Sequence, residues 1–105
     1  SLLKLTAGQE IPSPKVFIAA LGESAWKEGF VIADRLRQKG IWAELGYAGN
    51  SLKSQMRRAD RVSAQYVLIM GDDELHSGTL KWKLLSDGSQ GEIRSDEIDV
   101  FFALP

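Results

Sequence analysis

The chain has 105 residues, enough for one domain with a packed core and no covalent staples. Hydrophobic residues make up 44% and charged residues 26%, with no cysteine, which excludes disulfides, thiolate zinc sites and cysteine nucleophiles and fits a reducing, cytoplasmic setting. The formal net charge of −1 argues against a nucleic-acid binder that works by overall basicity, so RNA contact would need a local cluster of cations or help from a larger protein.

Residues 1–14 show no sustained period and end in Ile11-Pro12-Ser13-Pro14, where two prolines impose an extended backbone. This stretch reads as a linker, with Leu2, Leu3 and Leu5 as the tail of a preceding domain, and residues 15–105 as the domain proper. The first residue is Ser1 rather than Met, so a fragment or a processed chain is expected. No run of residues is long and apolar enough for a membrane-spanning helix, and no signal peptide is seen.

Residues 15–21 (KVFIAAL) are continuously apolar, as in a strand covered on both faces. Gly22 ends it and Ser24 is placed to cap a helix in which Trp26, Phe30, Ala33 and Leu36 recur at helical spacing. Arg35, Arg37 and Lys39 complement the dipole at its C-terminal end and Gly40 stops it. Residues 41–47 read as a second strand, Gly49-Asn50-Ser51 as a turn and cap, and Leu52, Met56, Ala59 and Val62 as the inner stripe of a second helix. Residues 66–70 (YVLIM) form a third buried strand, closed by Gly71. From there the period changes. Leu80, Trp82 and Leu84 alternate with Thr79, Lys81 and Lys83, giving a strand with one apolar and one wet face. Asp87-Gly88 signals a hairpin, residues 90–94 a short strand, and Ser95 the cap of a last helix with Ile98, Phe101 and Phe102 inward. Crossovers of this kind imply parallel pairing. The expected fold is a three-layer α/β/α sandwich on a five-stranded mixed sheet, order 2-1-3-4-5, with an antiparallel edge hairpin.

Several chemistries find no support. The single histidine, His76, lies in the polar connection Glu74-Leu75-His76-Ser77-Gly78 and reads as a solvated loop residue. No His/Asp/Glu cluster has metal-ligand spacing, and Asp72-Asp73-Glu74 reads as an acidic helix N-terminus rather than a Mg²⁺ site. Gly22-Glu23-Ser24 lacks the glycines of a phosphate-binding loop, which disfavours a flavodoxin-like cofactor binder. Ala20-Leu21-Gly22 lacks the acidic residues that a phosphorylated receiver carries at the end of its first strand. No catalytic residue and no metal ligand is assigned.

The remaining feature is a basic helix. Lys53, Arg57 and Arg61 recur at i, i+4 and i+8, with Arg58 beside them. Taken alone they are either a solvated outer face or a phosphate-binding one. The helix begins at the carboxyl end of the second strand, where open α/β sheets bind ligands, and its N-terminus is expected to offer unpaired N–H groups from Asn50 to Ser54, suited to a phosphate. Lys53, Arg57 and Arg58 are candidates for phosphates, and Asn50, Gln55 and Glu44 for base edges. Tyr47 either stacks a base or forms part of the rim. For Glu44 and Gln55 the alternatives stay open: a solvent-facing edge residue and an amide that satisfies backbone groups.

The segment from Gly49 to Arg61, with Leu52-Lys53, Gln55 and Ala59-Asp60-Arg61 in place, resembles the anticodon-binding domain of bacterial histidyl-tRNA synthetases. The strand and turn from Ala64 to Leu75, together with Gly78-Thr79, Lys83-Leu84-Leu85 and Gly88-Ser89-Gln90, continue the resemblance, which covers about residues 15–100. Gly46, where that family often has a polar residue, departs from it, and the match weakens after Ser95. The resemblance implies a class II synthetase anticodon-binding-domain-like fold and a partner in tRNA-His. Glu44, Tyr47, Asn50, Ser51, Lys53, Gln55, Arg57 and Arg58 would lie at the anticodon. It further implies a parent ligase, a cytoplasmic homodimer, that joins histidine to tRNA with ATP and Mg²⁺ in a catalytic domain of the same polypeptide. This domain would carry no cofactor, membrane contact or DNA contact of its own. The alternative is a regulatory or dimerisation module of a paralogue that no longer charges tRNA.

Overall fold

The computed structural model describes residues 12–103, so most of the expected linker and the last two residues lie outside the described residues. Five strands form one sheet: β1 (Val16–Ala20), β2 (Ala43–Leu45), β3 (Tyr66–Met70), β4 (Thr79–Leu84) and β5 (Gln90–Arg94). Their order is β2-β1-β3-β4-β5. β1 pairs in parallel with β2 and β3, and β4 is antiparallel to both β3 and β5, as expected.

Four helices flank the sheet: α1 (Glu23–Gln38), α2 (Leu52–Arg61), α3 (Asp72–Ser77) and α4 (Ile98–Ala103). Alternation along β1 assigns the two faces. Val16, Ile18 and Ala20 pack with Ala25, Ile32, Ala33 and Leu36 of α1 and with Ile98 and Phe102 of α4. Phe17 and Ala19 pack with Ala59 of α2, together with Ala64 and Val67. The sandwich is therefore asymmetric, because among the described residues α2 alone forms its second outer layer. On that face Lys81 and Lys83 of β4 stand level with Ile69 and Val67 of β3, and no helix among the described residues covers them.

Some local expectations need correction. The inner stripe of α1 is Ala25, Gly29, Ile32, Ala33 and Leu36, while Phe30 is 55% exposed and rests against Trp26. The cause is Gly29, where an added Cβ would lie 3.0 Å from Leu45 and 3.2 Å from Ile18, so the helix is turned to bring its backbone onto the sheet. α1 starts one residue before Ser24, with Gly22 at its N-cap at φ 97°, a left-handed conformation that suits glycine. β2 is three residues long rather than seven. Residues 72–77, read in part as a loop, form α3, so the exposed His76 sits in a helical turn with Nδ1 3.0 Å from the Asp72 carbonyl. In α2 the buried residues are Gln55 and Ala59, with Met56 and Val62 beside them and Leu52 largely outside. Ser95 opens a single 3₁₀ turn ahead of α4 rather than capping the helix with its side chain.

Candidate nucleic-acid interface

The carboxyl ends of β1, β2 and β3 and the start of α2 converge on one rim of the sheet. The turn at residues 46–50 joins β2 to α2 across this rim. Gly46 N–H donates to the Ile18 carbonyl at 2.9 Å and its own carbonyl accepts from Trp26 Nε1 at 2.8 Å. Gly49 adopts φ 85° and Asn50 N–H closes on the Tyr47 carbonyl at 3.3 Å. Beside it a shallow cleft of about 360 Å³ is lined by Gly22, Glu23, Trp26, Lys27, Ala48 and Gly49.

Ser51 is the N-cap of α2: its side chain accepts from Ser54 N–H at 3.1 Å. The first turn contains no acidic residue, so the positive end of the helix dipole is not offset locally. Lys53, Arg57 and Arg61 are all exposed and none forms an ion pair among the described residues. Burial of Gln55 and Ala59 turns Arg57 outward.

Arg58 behaves differently from its neighbours. Its guanidinium lies 4.2 Å from the centre of the Tyr47 ring, and one terminal nitrogen donates to the Tyr47 hydroxyl at 2.9 Å. Arg58 Nε is buried and has no partner. One ring face of Tyr47 is thus already occupied, while the residue as a whole remains 58% exposed. Arg58 holds the tyrosine in place and lends it positive charge.

Glu44 stands level with Phe17 on the face that α2 covers, and its Oε2 accepts from Trp42 Nε1 at 2.8 Å. Among the described residues only one of its carboxylate oxygens is engaged. Gln55 differs from the other candidates in being fully buried. Its Nε2 donates to the Ala20 carbonyl at 2.8 Å and to the Asn50 carbonyl at 3.0 Å. Of the two readings left open for Gln55, this geometry favours the amide that satisfies backbone groups. The rim therefore brings together Tyr47, Asn50, Ser51, Lys53, Arg57 and Arg58, leaves Glu44 one strand-depth away on an edge, and takes Gln55 inside.

Sequence reasoning assigned no role to the open sheet face beside α2. There a groove of about 430 Å³ is lined by Ile69, Lys81, Trp82, Lys83, Gln90, Gly91 and Glu92. The signal was present in the alternation of Lys81 and Lys83 with apolar residues. What the sequence did not reveal is that, among the described residues, the second outer layer is a single helix that does not reach over this face. Glu74, half-buried at the first turn of α3, accepts from Gly71 N–H at 2.8 Å and lies 3.7 Å from Lys81. That arrangement is the acidic helix N-terminus expected for residues 72–74.

The family model for the anticodon binding domain matches residues 15–102. The chain belongs to that family. Its relatives include a histidine–tRNA ligase of Syntrophotalea carbinolica, 43% identical over 88 residues that make up 84% of this chain and 21% of that protein. Another, from Geobacter sulfurreducens, is 46% identical over 80 residues, 76% of this chain and 19% of the relative. The chain thus spans about a fifth of the length of the curated relatives it matches. Among solved structures, apo S. aureus histidyl-tRNA synthetase superposes with a TM-score of 0.82 at 29% identity, covering 86% of this chain and 26% of that one. The RNA binding domain of threonyl-tRNA synthetase from Cryptosporidium parvum superposes with a TM-score of 0.76 at 13% identity, over 86% of this chain and 23% of that one, a likeness of fold alone.

Proposed function

We propose that the domain holds the anticodon of tRNA-His for a histidine–tRNA ligase, and that the rim formed by residues 46–50 and the start of α2 is where it does so. The observation that carries the RNA reading is the pairing of an uncompensated helix N-terminus with the unpaired cations Lys53 and Arg57 in a member of the anticodon-binding family. The choice of histidine rests on the names of the relatives. The ligase chemistry, with its ATP and Mg²⁺, belongs to a catalytic domain of the parent polypeptide, and the parent works as a cytoplasmic homodimer. No helix among the described residues is long and apolar enough to cross a membrane. The alternative of a regulatory or dimerisation module has no observation in its favour.

The bases of a splayed anticodon present their Watson–Crick edges, and the free oxygen of Glu44 and the amide of Asn50 are suited to them. Titration of the chain with tRNA-His and with the same tRNA altered at the anticodon tests the reading. Asn50→Ala and Glu44→Ala are expected to reduce discrimination between the two by about 1–3 kcal/mol, by analogy with base-edge contacts in duplex readers. Equal affinity of the wild-type chain for both RNAs would remove the anticodon from this rim.

A further inference from the structure

Gln55 is the one buried polar or charged side chain among the described residues. A buried amide costs stability unless its hydrogen bonds are made, so its retention in a helix stripe otherwise filled by Ala59 and its apolar neighbours calls for a reason. Both partners of its nitrogen are main-chain carbonyls: Ala20, the last residue of β1, and Asn50, the last residue of the turn that carries Tyr47. Because both partners are acceptors, the amide can face only one way. Its Oε1 is buried without a hydrogen-bond partner and is pressed against Gly46. A Cβ on Gly46 would overlap Oε1 and come within 2.8 Å of Gln55 Cδ, so the amide fits only because residue 46 is glycine. Gly46 and Asn50 are the two ends of the turn, and Gln55 touches both.

We infer that Gln55 is a positioning residue: from inside the protein it ties the turn at residues 46–50 to the end of β1, and thereby sets Tyr47 and Asn50 for RNA without touching RNA itself. This rests on the reading of the rim as the RNA site. The seat of the amide accounts for Gly46 as well, since a larger residue there expels the amide and frees the turn. The turn's other anchors act in its first half: Ile18 and Trp26 hold Gly46, and Arg58 holds the Tyr47 side chain. The second half has Gln55 and the weak 3.3 Å bond from Asn50 N–H to Tyr47.

The test uses the full chain with three changes, Gln55→Met, Gly46→Ala and Lys53→Ala. Amide hydrogen exchange and tRNA-His titration are run at a temperature where each variant is folded. Gln55→Met keeps the length of the side chain and removes its donors. Both Gln55→Met and Gly46→Ala are expected to speed exchange at least tenfold at Asn50, whose amide is the hydrogen-bonded one of residues 47–50, while β1 and β3 stay protected. Both should also weaken tRNA at least tenfold with the wild-type salt dependence, because no phosphate contact is lost. Lys53→Ala should instead flatten the salt dependence and leave exchange in the turn unchanged. Unaltered exchange at Asn50 in both turn variants overturns the inference, as does wild-type tRNA affinity in both. If Gln55→Met does not fold, Gly46→Ala decides alone, since it leaves the Gln55 side chain intact and only displaces it. If Lys53→Ala also binds as wild type, or the wild-type chain does not bind, the rim itself is not the RNA site and both readings fail together. If only Lys53→Ala weakens binding, the rim stands and the positioning role does not.

Discussion

Lys53, in the first turn of α2, and Arg57, one turn further on, are exposed and without an anionic partner among the described residues. Exposed cations that stabilise nothing inside the fold are inexpensive to remove, so their loss reads out on a ligand rather than on stability. Each is expected, when changed to alanine, to flatten the salt dependence of tRNA binding by roughly 0.7 of log–log slope per lost single-strand contact, with thermal stability held. Arg58 is a contrasting case, because its guanidinium is already engaged with Tyr47. Arg58→Ala should release the tyrosine and disturb more than a phosphate contact. Far from this rim, the Asp87 carboxylate is held below its ordinary range by hydrogen bonds from the Ser89 side chain and then from its backbone N–H, the latter at 2.8 Å. A carboxylate depressed in the folded state stabilises the hairpin above its unfolded pKa, and that contribution is lost as pH falls through the folded value. Carboxyl NMR titration should place the Asp87 midpoint below that of an ordinary aspartate, and Ser89→Ala should move it up. An unmoved midpoint in Ser89→Ala would assign the depression to another cause.

At the scale of single elements, Ser51 does two separable things. It caps α2 by accepting from Ser54 N–H, and it stands where a phosphate would approach the helix. Ser51→Ala should cost about 1 kcal/mol in a urea or thermal denaturation experiment. Ser51→Asp keeps a capping oxygen and favours the helix dipole, so stability should hold while tRNA affinity drops through charge repulsion. Wild-type tRNA affinity in Ser51→Asp would mean that phosphate does not come near this end of the helix. The elements also show what could be read in advance. The buried strands β1 and β3 were legible because a continuous apolar run fits no exposed element, and the cap at Ser51 because residue type and position agree. The face of α1 was misjudged at Phe30 because helical spacing alone does not reveal that Gly29 must lie closest to the sheet. α3 was only half legible because six residues with one apolar member carry no period. The role of Gln55 was legible only as two open alternatives and the pairing of Arg58 with Tyr47 not at all, since both arise from tertiary contact between segments that propensity treats separately.

Across the whole molecule, a net charge of −1 forbids binding by bulk attraction, so affinity must come from how the charges are placed. The placement is uneven. α2 turns its free cations to solvent on the face that the second layer only half covers, and the same face continues as bare sheet with Lys81 and Lys83. Lys81 lies 3.7 Å from Glu74, whereas Lys83 has no ion pair among the described residues. Lys83 is therefore the cation on the open face best suited to extend the RNA track. Two single-strand contacts, at Lys53 and Arg57, would give a log–log salt slope of about −1.4, and a third at Lys83 about −2.1. Titrating the chain with tRNA-His at several salt concentrations measures the slope directly. With Lys83→Ala the slope should shrink by about 0.7 if the RNA runs from the rim onto the open sheet. A slope that Lys83→Ala leaves unchanged, while Lys53→Ala reduces it, confines the RNA to the rim and leaves the bare face to some other contact. A slope near zero in the wild-type chain would sink the electrostatic argument as a whole.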